Sequence, residues 1–237
     1  MMNKPFFLSL ALLLTGFSLG AQDPTTTWPF KFNDFQSGVI RTLDGSLISS
    51  FENLFNVNLA SGGVNYVNEG TIMEADMARV TSAQIANRVF INVGGKMHEV
   101  LSETEKGLVV LLETVDYEKM SKTDIGYGVS SSTASTNRTS LDLLGFGDWE
   151  GIHLTGQTYT QARMKQGSGD PIPLRSDLYL VVDGIRIDAV KSAVMDQPYV
   201  NKAEAKAFFK AHKIKWNKAE TLPAVVEFLY DQKHREQ

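Results

Sequence analysis

The sequence predicts an α+β protein. A mainly antiparallel β roll or small barrel comes first, followed by a smaller β-hairpin module closed by two C-terminal helices. Three observations carry this. The stretch from Asn87 to Glu113 holds two β-rich runs around Gly94-Gly95 and then a third apolar run, Leu108 to Leu112. A Gly-Gly pair between such runs marks a tight hairpin, because its turn needs positive φ at the centre. Short β-branched runs separated by Gly and Asn recur through residues 35–113, at the close spacing of a roll or barrel. Beyond Asn201 the apolar period changes from that of a strand to that of a helix.

Taken in order, residues 1–21 have the make-up of a signal peptide. Lys4 supplies a positive start, Phe6 to Leu14 an apolar stretch, and Ser18-Leu19-Gly20-Ala21 a small-residue cleavage site that leaves Gln22 first. The apolar stretch is too short for a bilayer, which takes about 20 apolar residues. Residues 22–118 form the expected β module. Trp28-Pro29-Phe30-Lys31-Phe32 reads as an aromatic plug for one end of its core, or, as a sharper alternative, a sugar-stacking patch. Gly38 to Ser49 reads as a hairpin around Asp44-Gly45; the pair starts like a calcium loop, but the further oxygen ligands do not follow. Val57–Leu59, Val64–Val67, Thr71–Met73 and a run ending at Ile85 supply further short strands. Leu108 to Leu112 has the continuous apolar character of a strand covered on both faces.

Residues 119–140 read as a Ser/Thr-rich connector, since nine of the twelve residues from Val129 to Ser140 are Ser, Thr or Asn. Residues 141–237 form the smaller mixed module. Leu141 to Met164 has no clear period, and Gly167 to Pro173 reads as a loop. A hairpin over 177–187 turns at Asp183-Gly184. Helices follow over about 201–212 and 220–233. Asn201 with Glu204 three residues on is a reciprocal capping signal, and Asn217 with Glu220 repeats it. Pro223 is tolerated only near a helix start. Ala205, Phe208, Phe209 and His212 form one apolar face, and Leu222, Val225, Val226 and Leu229 the other.

The order of these segments resembles a family of uncharacterised secreted proteins from Bacteroidetes-type bacteria. The likeness runs from the Gly38-Val39-Ile40 hairpin through Phe55–Leu59, Val64–Tyr66, Asn87–Ile91, Glu99–Leu101 and Leu108–Leu112. It continues in Gly126–Ser132 and Phe209–Trp216. The resemblance covers most of the mature chain and rests on strands and turns, so it implies location and architecture and carries no site residue.

Composition narrows the functional classes. The chain has no cysteine, which removes disulfide scaffolds, lipid attachment through cysteine, thiolate metal sites and thiol catalysis. Residues 22–198 hold 14 basic and 22 acidic residues, a net of −8; residues 199–237 hold 8 and 5, a net of +3. The basic residues of that tail are spread out, as on a solvated helical surface, and export argues against nucleic acid as a partner. The four histidines, at 98, 153, 212 and 234, show no zinc spacing, and no nucleophile elbow, Walker loop or dinucleotide fingerprint is present.

The densest polar cluster is Asp148-Trp149-Glu150-Gly151-Ile152-His153; in an extended strand Asp148 and Glu150 share a face and His153 takes the other. The reading that fits best is an exported, periplasmic or extracellular, non-catalytic binding or interaction module. Its partner class is an envelope component or a glycan, with no cofactor, no metal, no catalytic residue set and no membrane span after signal cleavage. The alternatives are a secreted hydrolase using dispersed carboxylates such as Asp148 and Glu150, and a carbohydrate binder using Trp28, Trp149 or Trp216. If export is correct, N-terminal sequencing of the protein recovered from the periplasm or medium gives Gln22 as its first residue; a product that retains residues 1–21 contradicts this.

Overall fold

Turn chemistry places the strands. The structure, a computed structural model, describes residues 25–26, 28–48, 52–121, 159–165 and 172–235. Gly94 and Gly95 both take positive φ, at 63° and 80°, and fold β8 (Arg88–Val93) back on β9 (Lys96–Thr104). β10 (Gly107–Val115) returns along β9, so the three expected neighbours form. Val109 and Val110 are both fully buried, on opposite sides of β10, at the point where the pairing with β9 shifts by a bulge. The strand is covered on both faces, as its composition predicts.

The other early strands also form: β2 (Gln36–Thr42), β3 (Leu47–Ile48), β4 (Leu54–Val57), β5 (Val64–Asn68), β6 (Thr71–Glu74) and β7 (Val80–Ile85). At the β2–β3 turn the Asp44 carboxylate accepts from the Thr42 hydroxyl at 2.5 Å and the Ser46 N–H at 3.0 Å. It is therefore occupied as a turn brace, and these bonds hold its carboxyl below the usual carboxylate range. Beyond the first module come β11 (Ile172–Val182) and β12 (Ile185–Asp188), joined at Asp183-Gly184, with β1 (Thr25–Thr26) at the start of the chain.

These strands make one mainly antiparallel sheet in the order β1-β11-β10-β9-β8-β7-β2-β4-β5-β6, with β12 on β11 and β3 on β2. The sheet curls into a half-barrel because the β4–β5 turn reaches across to distant strands. Met97 N–H donates to the Gly62 carbonyl at 2.8 Å, and Val115 N–H to the Leu59 carbonyl at 2.9 Å. The plug segment is stitched in by Leu59 N–H to the Pro29 carbonyl and Lys31 N–H to the Val57 carbonyl. Trp28, Phe30 and Phe35 then fill one end of the core with Val115, Ile172 and Leu174. Ile40, Phe55, Val64, Ile85 and Phe90 fill the middle.

Three expectations need correction. The C-terminal hairpin, read as part of a smaller module, continues the same sheet: β11 pairs with β10 in register from Leu108↔Val181 to Val115↔Leu174. Strand β11 also begins at Ile172, inside the segment read as a loop. The stretch given to a connector starts in helix α1 (Tyr117–Ser121), while residues 122–140 lie outside the described residues.

Helices α2 (Tyr159–Lys165) and α3 (Lys191–Met195) are short. The two longer helices match the sequence reading closely: α4 (Lys202–Ala211) and α5 (Pro223–His234). Asn201 caps α4, accepting from Ala203 and Glu204 N–H. The reciprocal half of that cap does not form. Glu204 instead reaches α5, accepting from Gln232 at 2.9 Å and pairing with Arg235, and Gln232 takes the Asn201 N–H. Nor does Asn217 cap α5. A 3-10 turn (Ala219–Thr221) precedes that helix, braced by the Thr221 hydroxyl on the Lys215 and Lys218 carbonyls, with Pro223 in its first turn. Leu222, Val225, Val226 and Leu229 are fully buried against Val109, Leu180 and Ile187, so the helices close one part of the inner face. No described helix is long and apolar enough to cross a membrane.

Gly107 marks how tightly these layers meet. Its φ is +153°, and an added Cβ would strike the Val181 carbonyl and come within 2.9 Å of Val226 Cγ1 on α5. Gly107→Ala is expected to lower unfolding free energy by about 2–4 kcal/mol through overpacking and strain, read by urea denaturation. A loss under about 0.5 kcal/mol, the usual range for a neutral surface change, contradicts this packing.

Candidate functional site

Alternation along β10 and β11 gives the sheet two chemically different faces. Leu111 and Leu178 stand in one cross-strand row on the inner face with Glu99. The loop from Trp216 to Glu220 stands off from this face, and Ala189-Val190 close one end. Between them lies an open groove of about 720 Å³, within the usual range for ligand clefts. Leu111 and Leu178 make its floor apolar, Trp216 forms part of one wall, and Arg175, Asp188, Lys218 and Glu220 supply charge at its rim. Trp216 is held by an edge-to-face contact with Phe209, ring centroids 5.0 Å apart. At the rim Arg175 pairs with Asp177 at 2.7 Å, and this partner raises the Arg175 pKa further.

Next to the groove is a charged cluster that the sequence does not announce. Lys31, from the plug, lies between Glu99 at 2.9 Å and Glu113, and Arg88 approaches Glu99 at 3.3 Å. Ser176, which lines the groove, donates to Glu113 at 3.4 Å. The side chains of Lys31 and Glu99 are only 11% and 13% exposed. Lys31 and Arg88 together face the two carboxylates here, and Lys31 ties the plug to β9 and β10; breaking such a pair leaves a costly buried charge. The local signal was a charged residue at an inward strand position, Glu99, two residues after the buried Met97.

On the outer face His98 is fully buried. Its Nδ1 lies 2.9 Å from the Lys96 carbonyl and its Nε2 3.2 Å from the Arg186 guanidinium. A carbonyl only accepts and a guanidinium only donates, so the ring is neutral with its proton on Nδ1. Arg186 stacks over Tyr179 at 4.5 Å, and Tyr179 meets His98 edge-on. Burial lowers the His98 pKa, and the Arg186 and Lys96 charges lower it further.

Comparisons with family models, curated proteins and solved structures return no match.

The residues singled out from sequence separate clearly. Asp148, Trp149, Glu150 and His153 lie outside the described residues. Trp28 is 2% exposed and packs against Phe30 in the core at a tilted ring angle, which rules it out as a sugar platform and makes it part of the plug. Trp216 does reach the groove. His212 is exposed and stacks on Phe208, and His234 lies 3.1 Å from Asp183. Among the described residues no three His, Asp or Glu side chains gather as a metal site would require.

The His98 geometry fixes a pH response. The folded pKa lies below the ordinary 6.5, so the unfolded chain binds this proton first as pH falls. The stabilisation is complete above about pH 6.5 and declines below it, at a limiting slope of about 1.4 kcal/mol per pH unit for one proton. Thermal unfolding of wild type and His98→Gln from pH 8 to 5 is expected to show a shallower acid decline in the variant; parallel curves contradict the assignment.

Proposed function

We propose that this chain is an exported, non-catalytic binding module of the bacterial envelope, related to the secreted Bacteroidetes-type proteins it resembles, and that the groove beside Trp216 is its binding surface. The observation that carries the reading is the groove's composition. An apolar floor next to an aromatic wall, with charge confined to the rim, suits retention of an amphipathic ligand. The nearby carboxylates Glu99 and Glu113 are both paired with Lys31, and Glu99 also with Arg88, so they serve the fold rather than acid–base chemistry. The signal-like segment at residues 1–21 supports an extracytoplasmic setting.

Trp216 favours a glycan as the first ligand class to test, because a sugar ring stacks on an indole face while its hydroxyls meet a polar rim. Purified mature protein is titrated calorimetrically with peptidoglycan fragments, oligosaccharides, peptides and esters, and each mixture is assayed for turnover. The expected result is saturable binding of at least one member without its conversion. That binding should weaken about tenfold or more, roughly 1.4 kcal/mol, in Trp216→Leu. Conversion of any member, or no binding across the panel, overturns the proposal.

A further inference from the structure

Six lysines stand between Lys202 and Lys218, with Glu204 the one acid among them. The whole chain carries a net charge of −4, so this stretch is set apart. Along the sequence the lysines look scattered, but helix α4 lines up three of them. Lys202, Lys206 and Lys210 recur every fourth residue and share one side of the helix, about 6 Å apart along its axis. The other flank of α4 is taken: Phe208 stacks on Phe228 of α5, and Glu204 reaches Gln232 and Arg235. The lysine side is therefore turned away from α5, and all three lysines are exposed.

The line continues past the end of α4. Lys213 and Lys215, both exposed, lead directly into Trp216, and Lys218 lines the groove. This turn is held in place. Lys218 N–H donates to the Lys215 carbonyl at 2.9 Å, and Lys215 N–H donates to the Thr221 hydroxyl at 3.0 Å. Phe209, between the two flanks of α4, carries the edge-to-face contact with Trp216. Elsewhere lysines find acids, as Lys106 does Asp231 and Lys233 does Asp183. Here Lys202 lies 3.5 Å from Asp196 at an exposed site, and the other five lysines make no ion pair among the described residues.

We infer that the ligand of the groove is an acidic glycan: one ring stacks on Trp216, and the anionic groups of the following units run along the turn and α4. This names the chemical class of the ligand and rests on the reading of the groove as a binding surface. Asp188 and Glu220 also stand at the groove's rim, so the groove itself repels a bare anion and the charged units belong on the lysine side. A single exposed ion pair contributes little. A polymer charged at successive units supplies the repetition that such a line of lysines needs. Lysine is a point charge without the fixed fork of arginine, so it accepts carboxylate and sulfate alike. An anionic bilayer fits less well, because Ala205 and Phe209, the apolar face of α4, are buried in the core and leave nothing to insert. The proposed extracytoplasmic setting favours a glycan over nucleic acid.

The full mature protein is titrated calorimetrically with an oligogalacturonate, its methyl ester, a sulfated heparin fragment and a neutral cello-oligosaccharide. Salt is set at about 0.01 M and about 0.15 M, where screening reaches about 30 Å and about 8 Å. The expected result is that at least one of the two acidic chains binds about tenfold or more tightly than the uncharged ones, and less tightly at the higher salt. Combined Lys206→Glu, Lys210→Glu and Lys213→Glu should weaken the acidic chain about tenfold or more, since three exposed pairs are lost together. Trp216→Leu should weaken it as well. Thermal unfolding checks the reversed variant; should it not fold, Lys→Gln at the same three positions decides.

Uncharged chains that bind as tightly as acidic ones, a charge-reversed variant that binds as wild type, or acidic binding that ignores Trp216→Leu overturns the inference. A DNA oligonucleotide or phosphatidylglycerol vesicles bound more tightly than either acidic chain would assign the lysines to another partner and also overturn it. Binding of an uncharged glycan that needs Trp216 and ignores the lysines leaves the binding-module reading standing and removes only the acidic ligand. No binding of any chain here or in the wider glycan and peptide panel removes both.

Discussion

β10 is the strand on which the other parts converge, and the governing constraint is that it is buried on both faces. Val109 meets the helices, Val110 faces the opposite side beneath Tyr179 and Val100, and both are fully buried. Further along, Glu113 holds Lys31 of the plug and Val115 bonds to the β4–β5 turn. A strand in this position has no water to satisfy its backbone, so both edges must be paired. β9 supplies one edge and β11 the other, which is why the C-terminal hairpin belongs to the first sheet.

The curl follows from the same convergence. An open sheet of this many strands curls, splits or flattens. Here the turn around Leu59 and Gly62 closes across to β9 and β10, and the aromatic plug fills the end this creates. The ion cluster of Lys31, Glu99 and Glu113 sits where plug and sheet meet, so its position is a consequence of closure. With those carboxylates occupied, the inner face beside the cluster presents a groove lined by Leu111, Leu178 and Trp216.

Much of this was legible from local signals. Gly94-Gly95 and Asp183-Gly184 demanded positive φ, and turns formed at both. The stripes at Ala205–Phe209 and Leu222–Leu229 found the buried faces of α4 and α5 within a few residues. The aromatic run at Trp28 was placed in the core's end. Other signals were overruled by partners remote in sequence. Glu204 had the spacing of a reciprocal cap, but Gln232 and Arg235 offered bonds that also dock α5, and the tertiary bonds won. Ile172 and Pro173 looked like loop because proline and glycine surround them, yet β1 and the end of β10 receive them as strand.

The sequence alone determined where the chain turns, which stretches alternate, and which faces of the helices are apolar. These depend on contacts between residues a few positions apart, and backbone sterics decide them locally. Only the tertiary structure decided that β11 lies on β10 and that Lys31 meets Glu99 and Glu113. Those outcomes compare the packing of segments far apart in the chain, and strand periodicity is the same whichever partner a strand takes.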